Sequence, residues 1–495
     1  MSYRLRIVLA GSLAFAIPFA IDLASLNPGI DYWDTGELQT VPYILGIPHP
    51  TGFPAYVLLG WLWSHVLPIG DVAYRMNLLS ATGCSLAALA LFAAASTWGV
   101  EPVLALGAAL VFSVSRIVWD HAVHADVHAV AIAAFGASVW LALRWRRDGD
   151  ERVLTGCALA SGIAVSLHSA MVLTLPGVML VALARRPSLR QTALALVTGI
   201  VIVGACYAYL PIRSRIVFAQ RLDPTLALGL PPGRPFWDND HPSTLAGFRA
   251  EVGGGQFGAA RALREIASPD VLVQLPDRFG RDAANDLALG LLAIAAVGLA
   301  AVGRRSFLCA CGLAAAGLLP VLFVLAYTVE SDPDRYYLPG YWTIALLVAA
   351  GADVLARGGL ERAPRPVLAL VGALFGVVVL TDVLASRERF LPSGSGTAQP
   401  FIDRVARRTP QNAVLVAAWN DATVLAYGAY VERRLGDRIL VTGWPPDYLT
   451  DYPRWVRERP VVVITEGAIE LPGFTLNDRD PSALPHLYQL SPVTR

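Results

Sequence analysis

Between positions 7 and 386 the chain alternates long apolar runs with short polar breaks. Runs fall near 7–24, 76–98, 102–119, 127–143, 152–167, 169–184, 190–210, 284–303, 306–328, 338–356 and 366–386. Each holds roughly 16–23 residues, the length at which a helix crosses a hydrocarbon core. The pair flanking His168 is the shortest. The pattern predicts about eleven transmembrane helices, and with them a mainly α, polytopic membrane fold. One further stretch, 52–67, is apolar but interrupted and rich in Trp and Tyr; it reads as a helix lying in the outer interface or re-entering shallowly.

The arginines set the expected orientation. Arg4 and Arg6 precede the first run, and alternate breaks carry Arg144-Trp145-Arg146-Arg147, Arg185-Arg186, Arg304-Arg305, and Arg357 with Arg362 and Arg365. Basic loops gather on the cytoplasmic side. That places segments 25–75, 119–126, 211–283 and 329–337 outside, and an odd number of spans places the C-terminal region outside too. The expected setting is a bacterial-type plasma membrane with an extracytoplasmic active site.

After about 386 the pattern changes. "SGSGTAQP" (393–400) reads as a linker, followed by strand-like 413–419, a helix over 421–435, and strand-like 438–444 and 461–467. The expected division is a membrane domain, 1–386, and a small outer α/β domain, 387–495. The latter lacks a glycine-rich phosphate loop, so no chemistry is assigned to it.

Composition agrees with the pattern. The chain is 55% hydrophobic and 16% charged, and mean hydropathy is +0.52. A net charge of +1 gives no signal for nucleic acid or another polyanion. Every basic residue is Arg. The five cysteines lie inside apolar runs and read as small packing residues, with no disulfide or zinc spacing.

The chemistry concentrates at span ends. "DYWDTGEL" (31–38) follows the first run directly. Asp34-Thr35-Gly36-Glu37 fits a capping box for a short helix before Pro42, yet a cap leaves Asp31 and Trp33 unexplained. The alternative is a carboxylate base at the outer surface, because a hydroxyl nucleophile needs a proton acceptor within reach. "LGIPHPTGFPAY" (45–56) sets His49 in a rigid, turn-rich stretch. Arg213 in "YLPIRS" and Arg335 in "DPDRYYLP" stand at outer span ends, where a guanidinium can fork onto phosphate or simply snorkel. In "DHAVHADVHAV" His124 and His128 have the i, i+4 spacing of metal ligands, but with Asp126 a polar wall of a substrate pocket is preferred and no metal is expected. His168 reads as an acceptor ligand or a hydrogen-bonded loop histidine.

The blocks "DTGEL…LGIPHPTGFPAYVLLG…DVAYRMNLLSA" resemble the amino-terminal signature of membrane proteins related to protein O-mannosyltransferases (the domain of unknown function 2723 type). "HADVHAV", "LHSAMVLTLPG", "YLPIRS", "HPSTLAGFRAEVGGGQF" and "DRYYLPGY" extend the resemblance over most of 7–386. It implies a GT-C glycosyltransferase that takes a sugar from a polyprenyl-phosphate and inverts the anomeric centre on the outer face. Asp34 matches the family's catalytic base, with Glu37 beside it. Thr35 replaces the family's Ser, Thr51 a second Pro, and Asp126-Val127-His128 an expected Glu-Val-Tyr.

The expected site therefore comprises Asp34 and Glu37 for catalysis and Arg335 and Arg213 for donor phosphate. His49, Trp33, Asp126, His124, His168 and Tyr336 would bind substrate. The donor would carry a hexose such as mannose; the acceptor is a hydroxyl on protein or glycan, and no cofactor is expected. The rivals are a flippase of lipid-linked sugars and an inactive glycan-binding scaffold. Ionisable groups at span ends, away from the midplane where transporters keep them, favour the enzyme.

Overall fold

A computed structural model describes residues 3–255, 258–327, 333–358, 363–385, 388, 394 and 396–493. The chain forms two compact units. One comprises Met1–Leu26, Leu78–Tyr207 and Gly253–Pro392; the other comprises Asn27–Asn77, Ala208–Val252 and Ser393–Arg495. The division expected at 386/387, residues 329–332 of the expected outer loop, and residues 393 and 395 of the expected linker lie outside the described residues.

Among the described residues, eight helices are long and apolar enough to cross a membrane, and a bent pair, Pro102–Val114 with Arg116–Ala122, makes a ninth if counted as one span. The runs flanking His168 form Glu151–Leu167 and a shorter apolar helix, Ser169–Leu183. Within the described residues all eleven runs are thus mainly helical, but two fall below the length of an ordinary span. Burial separates the long helices by role. Pro333–Arg357 is mostly enclosed, whereas the apolar windows of Leu189–Ala219 and Arg365–Leu384 hold almost no buried residues. Exposed Leu and Val at that density belong in lipid.

Basic helix ends converge in the first unit. Trp98 lies under the guanidinium of Arg146 at 4.9 Å and that of Arg305 at 6.0 Å. Arg185 donates to the carbonyls of Arg146 and Arg147, both at 3.2 Å. Arg357 donates to Gly99 O at 3.0 Å and pairs with Asp353. Arg146, Arg185, Arg305 and Arg357, four of the arginines that the sequence assigns to one side, therefore gather around Trp98 and Gly99 at one end of the unit. Small residues make this packing close. A Cβ at Gly298 would fall 1.9 Å from Leu347 O, and one at Gly351 would fall 2.0 Å from Ile294 O. The helices Arg281–Arg305 and Leu338–Arg357 touch backbone to backbone there.

The second unit is built on a five-stranded sheet, β1 (Val414–Ala417), β2 (Ile439–Thr442), β3 (Val461–Thr465), β4 (Phe474–Asp478) and β5 (His486–Pro492), in the order β2-β1-β3-β5-β4. β1 pairs in parallel with β2 and β3, Val414 facing Ile439 and Val461; β5 runs antiparallel to β3 and β4. The three parallel strands match the three strand-like segments of the sequence. They are buried at every position but Thr442, the last of β2, and therefore read as unbroken apolar runs. β4 alternates half-buried with exposed positions and carries no such run. The expected helix after β1 is shorter, Trp419–Ala426, and turns through Tyr427–Val431. Two segments from earlier in the chain belong to this unit. Leu228 and Leu230 join the sheet's core, and Trp455 Nε1 donates to Leu228 O at 3.2 Å. The helix Pro54–Val66 covers the expected 52–67 stretch and is too short to span; Tyr56, Val57 and Gly60 are buried, while Leu58, Leu59, Trp61 and Leu62 are exposed.

The contact between Gly298 and Gly351 generates a prediction. Gly351→Leu should force the two helices apart, lowering the melting temperature in detergent, with a cost of about 2 kcal/mol or more. Gly376→Leu, where a Cβ meets nothing within 4 Å, should leave it unchanged.

Candidate functional site

The stretch "DYWDTGEL" divides its three carboxylates among three environments. Asp31 is structural: its Oδ2 accepts from Asn27 Nδ2 at 2.9 Å and its Oδ1 from Tyr32 N at 2.9 Å. Gln39 accepts from Asp31 N at 3.1 Å and donates to Gly29 O at 3.1 Å and to Asn77 Oδ1 at 2.8 Å. This polar knot fixes the entry into the helix Trp33–Ile44. The capping box is not formed. The helix starts at Trp33, with no side-chain cap at Tyr32, so Asp34 lies in its first turn and Glu37 turns to another partner. Pro42 sits in the last turn of three and does not truncate the helix. Trp33 holds a left-handed φ of 58° and is 63% exposed, a strained conformation for a large residue.

Asp34 is half-buried, and its Oδ1 accepts from Trp419 Nε1 at 3.1 Å. Trp419 immediately follows Ala418 at the carboxyl end of β1, the central strand of the parallel trio and the place where open α/β sheets present ligand groups. Its ring stacks on Phe236 at 5.7 Å and meets His49 edge-on at 6.1 Å; His49 in turn meets Phe53 at 5.1 Å. Asp34 is thus held against an aromatic wall.

Glu37, one helical turn on, has no exposed surface. Its Oε1 accepts from His49 N at 2.8 Å and its Oε2 bonds His49 Nδ1. Burial pushes the Glu37 carboxyl up, and the charge and hydrogen bond of His49 pull it back only in part. Arg213 is placed on the same helix from outside. Its Nε and Nη2 donate to the carbonyls of Leu45 and Ile44, and Tyr209 Oη donates to Leu45 O at 2.7 Å and Gly46 O at 2.9 Å. These are the carbonyls a helix end leaves without partners. Arg213 therefore acts here as a clamp on the helix that carries Asp34 and Glu37.

The other unit holds a separate polar cluster. Asp126 caps the helix Val127–Asp148 by accepting from His128 N, and its Oδ2 meets His121 Nδ1 at 2.7 Å. Burial pushes the Asp126 carboxyl up, but His121 and then His128 outweigh it and hold it well below the usual carboxylate range. His128 lies 4.1 Å from His168, ring to ring, and Tyr336 packs edge-on against both at 4.9 and 5.7 Å. Tyr336 follows Arg335, so the expected phosphate ligand belongs to this cluster. His168 Nδ1 accepts from Ala170 N at 3.1 Å, the loop-histidine bond. His121, His124 and Asp126 offer ligand atoms within 4.8 Å of one another and could hold a metal ion. The i, i+4 pair read from the sequence is replaced by this trio: His121 faces Asp126, while His128 bonds the other carboxylate oxygen.

Sequence reading missed Trp419, Phe236 and Glu251. Trp419 lies in the region given no chemistry; the strand-then-Trp order of "AVLVAAWND" is the one signal that pointed to it. Asp22, buried near the end of the first span, also escaped notice.

The Glu37–His49 bond gives a prediction with a sign. In His49→Ala the buried carboxyl loses its partner, at a cost of about 2 kcal/mol or more near neutral pH. The folded protein then keeps a proton that the unfolded carboxyl, near 4.3, has released. Stability lost by the variant should return as pH falls and disappear as pH rises through the raised folded pKa. Adding Glu37→Gln should abolish that pH dependence in thermal melts.

Comparisons with known proteins give the family and fold likenesses of the chain. Residues 34–191 match the family described as the protein O-mannosyl-transferase TMEM260 N-terminal domain. The chain is similar to the protein O-mannosyl-transferase TMEM260 of Mus musculus, 28% identical over 221 residues, covering 43% of this chain and 31% of the mouse protein. It is also similar to the Dictyostelium discoideum protein of the same name, 28% identical over 102 residues, 20% of this chain and 12% of that one. The matches thus span less than a third of either relative. Among solved structures, ArnT from Cupriavidus metallidurans bound to undecaprenyl phosphate superposes with a TM-score of 0.58 at 12% identity, over 98% of this chain and 97% of that one. The Archaeoglobus fulgidus oligosaccharyltransferase in complex with Zn and sulfate gives 0.52 at 13% identity, over 93% and 68%. The molecule is an integral membrane protein with the GT-C fold of ArnT, and its segment 34–191 bears the TMEM260 N-terminal match.

Proposed function

We propose that this chain is an inverting glycosyltransferase that moves a hexose, mannose first among candidates, from a polyprenyl-phosphate to a hydroxyl on protein or glycan. The observation that carries the proposal is the unequal treatment of Asp34 and Glu37. Glu37 is sealed in and held by His49, whereas Asp34, on the same helix face, is half-buried and fixed through one oxygen by Trp419. A base needs a fixed carboxylate that is not sealed in, and Asp34, bonded to Trp419 and half-buried, suits that task better than Glu37.

Asp34 takes the acceptor's proton as the hydroxyl oxygen attacks C1 of the sugar. The C1–O bond to phosphate breaks, and the phosphate leaves with the bonding electrons. Attack opposite the leaving group inverts the anomeric centre. In the unit that carries Asp34, Trp33 and His49 are the residues for acceptor or sugar. In the other unit, Arg335 is the residue for a donor phosphate, in the cluster of Asp126, His124, His168 and Tyr336. Arg213, with two donors on the helix end, serves by holding that helix in place. The step invokes no cofactor; His121, His124 and Asp126 are the residues that would hold a metal ion if one binds. The meeting of Arg146, Arg185, Arg305 and Arg357 supports a cytoplasmic placement of that end and an extracytoplasmic reaction. The likeness to ArnT and to the mannosyl-transferases supports a lipid-linked donor.

Asn keeps the shape of Asp34 and can still accept from Trp419, but an amide takes no proton at neutral pH. Asp34→Asn should reduce transfer from a purified polyprenyl-phosphate mannose by roughly 10²–10⁴-fold with an unchanged melting temperature. Parent-like turnover would remove Asp34 as base. Arg335→Lys keeps the charge and loses the fork, so the apparent KM for the donor should rise markedly. An unaltered KM would place the phosphate elsewhere.

A further inference from the structure

Glu251, on the helix Leu245–Gly253, has no exposed surface. Its Oε2 accepts from Asn239 Nδ2 at 3.0 Å, and its Oε1 has no protein partner among the described residues. The Oε1 faces the turn that carries His49. A Cβ at Gly52 would fall 2.9 Å from it, Gly52 holds φ 79°, and Gly52 N donates to His49 O at 3.1 Å. Only glycine admits the carboxyl this close to the turn.

The loop that supplies Asn239 is strained and pinned. Phe236, Asp240 and His241 have φ of 74°, 57° and 52°. His241 Nδ1 meets Asp238 Oδ2 at 2.6 Å and its Nε2 meets Ser243 Oγ at 2.9 Å. A Cβ at Gly247, on Glu251's own helix, would fall 2.1 Å from Asp240 O. So much local constraint around one buried acid points to a use for it. The charged groups that act on it from the packed elements are Asp240, His49 and Glu37, while Asp238 and His241 bond each other, Arg213 is engaged on Leu45 and Ile44, and Arg249 is exposed on its own helix. Among the described residues no arginine pairs with it, and its hydrogen-bonded partner is a neutral amide. A buried carboxyl so placed keeps its proton rather than its charge.

Resting on the glycosyl-transfer reading, we propose that Glu251 is a further positioning residue of the Asp34 site, a neutral carboxylic acid that holds the Gly52–His49 turn against Glu37. It neither touches substrate nor takes the acceptor's proton. It fixes His49, His49 fixes Glu37, and the helix they brace presents Asp34. Burial pushes the Glu251 carboxyl well up.

The test uses the full chain in lipid nanodiscs, with Glu251→Gln and Glu251→Ala. An infrared difference spectrum between the parent and Glu251→Gln at neutral pH should show a protonated carboxyl band lost in the variant. A carboxylate band in its place would overturn the proposal. Glu251→Gln, a permanently neutral isostere, should keep the parent's transfer rate from polyprenyl-phosphate mannose and should lose any alkaline limb due to Glu251. Glu251→Ala should lower kcat by about 10-fold or more with the donor KM unchanged, and should shift the His49 imidazole signal in NMR while Glu251→Gln leaves it in place. Parent-like kcat and His49 signal in Glu251→Ala would overturn the proposal. If Glu251→Ala does not fold, Glu251→Asp takes its place under the same criteria. A parent that transfers no sugar would defeat the glycosyltransferase reading alone, since the infrared and His49 readouts still decide the role of Glu251.

Discussion

Glu37 has no contact with solvent, and the charge that compensates it comes from His49, twelve residues on. Sealing an acid at the heart of the Asp34 site constrains everything near it. The "IPHPTGF" turn must stay folded back on the helix Trp33–Ile44, because withdrawing His49 would leave the buried carboxyl with a large desolvation penalty. Asn27, Asp31, Gln39 and Asn77 lock the helix at its start, and Tyr209 and Arg213 hold its last carbonyls. Trp419 and Phe236 press on the face bearing Asp34. These braces come from distant parts of the sequence and act on one twelve-residue helix.

The same physics assigns different tasks to neighbouring carboxylates. Asp31 is consumed by hydrogen bonds, Glu37 by an imidazole, and Glu251 by a single neutral amide. Asp34 is the acid left with partial access to its surroundings. Environments that push neighbouring acids apart are the means by which one fold separates a base from its supports. The other unit shows the contrasting case, in which Asp126 is kept ionised by His121 and His128.

Much of this was legible in the sequence, for physical reasons that can be named. Apolar runs report spans because lipid leaves no alternative to continuous helix. The three buried parallel strands were legible because burial on both faces makes them unbroken apolar runs. β4 and β5 were not, since a half-exposed hairpin alternates weakly. Local spacing suggested a capping box at Asp34, but His49, a longer-range partner, claimed Glu37. The reading of Arg213 as a phosphate ligand had no means of seeing that the carbonyls of Ile44 and Leu45 would need donors. Trp419 lies 385 residues beyond Asp34 and Glu251 lies 202 beyond His49; only the folded chain brings such pairs together.

The central claim is a single displacement at C1 with Asp34 as base, and its most direct test is the configuration of the product. Purified protein in nanodiscs would be given polyprenyl-phosphate mannose of known anomeric configuration and a Ser/Thr-containing acceptor peptide, and the new linkage read by NMR. The account predicts sugar joined to a hydroxyl oxygen with the anomeric centre inverted. Retention of configuration would contradict it, as would movement of intact donor across the bilayer with no new glycosidic bond.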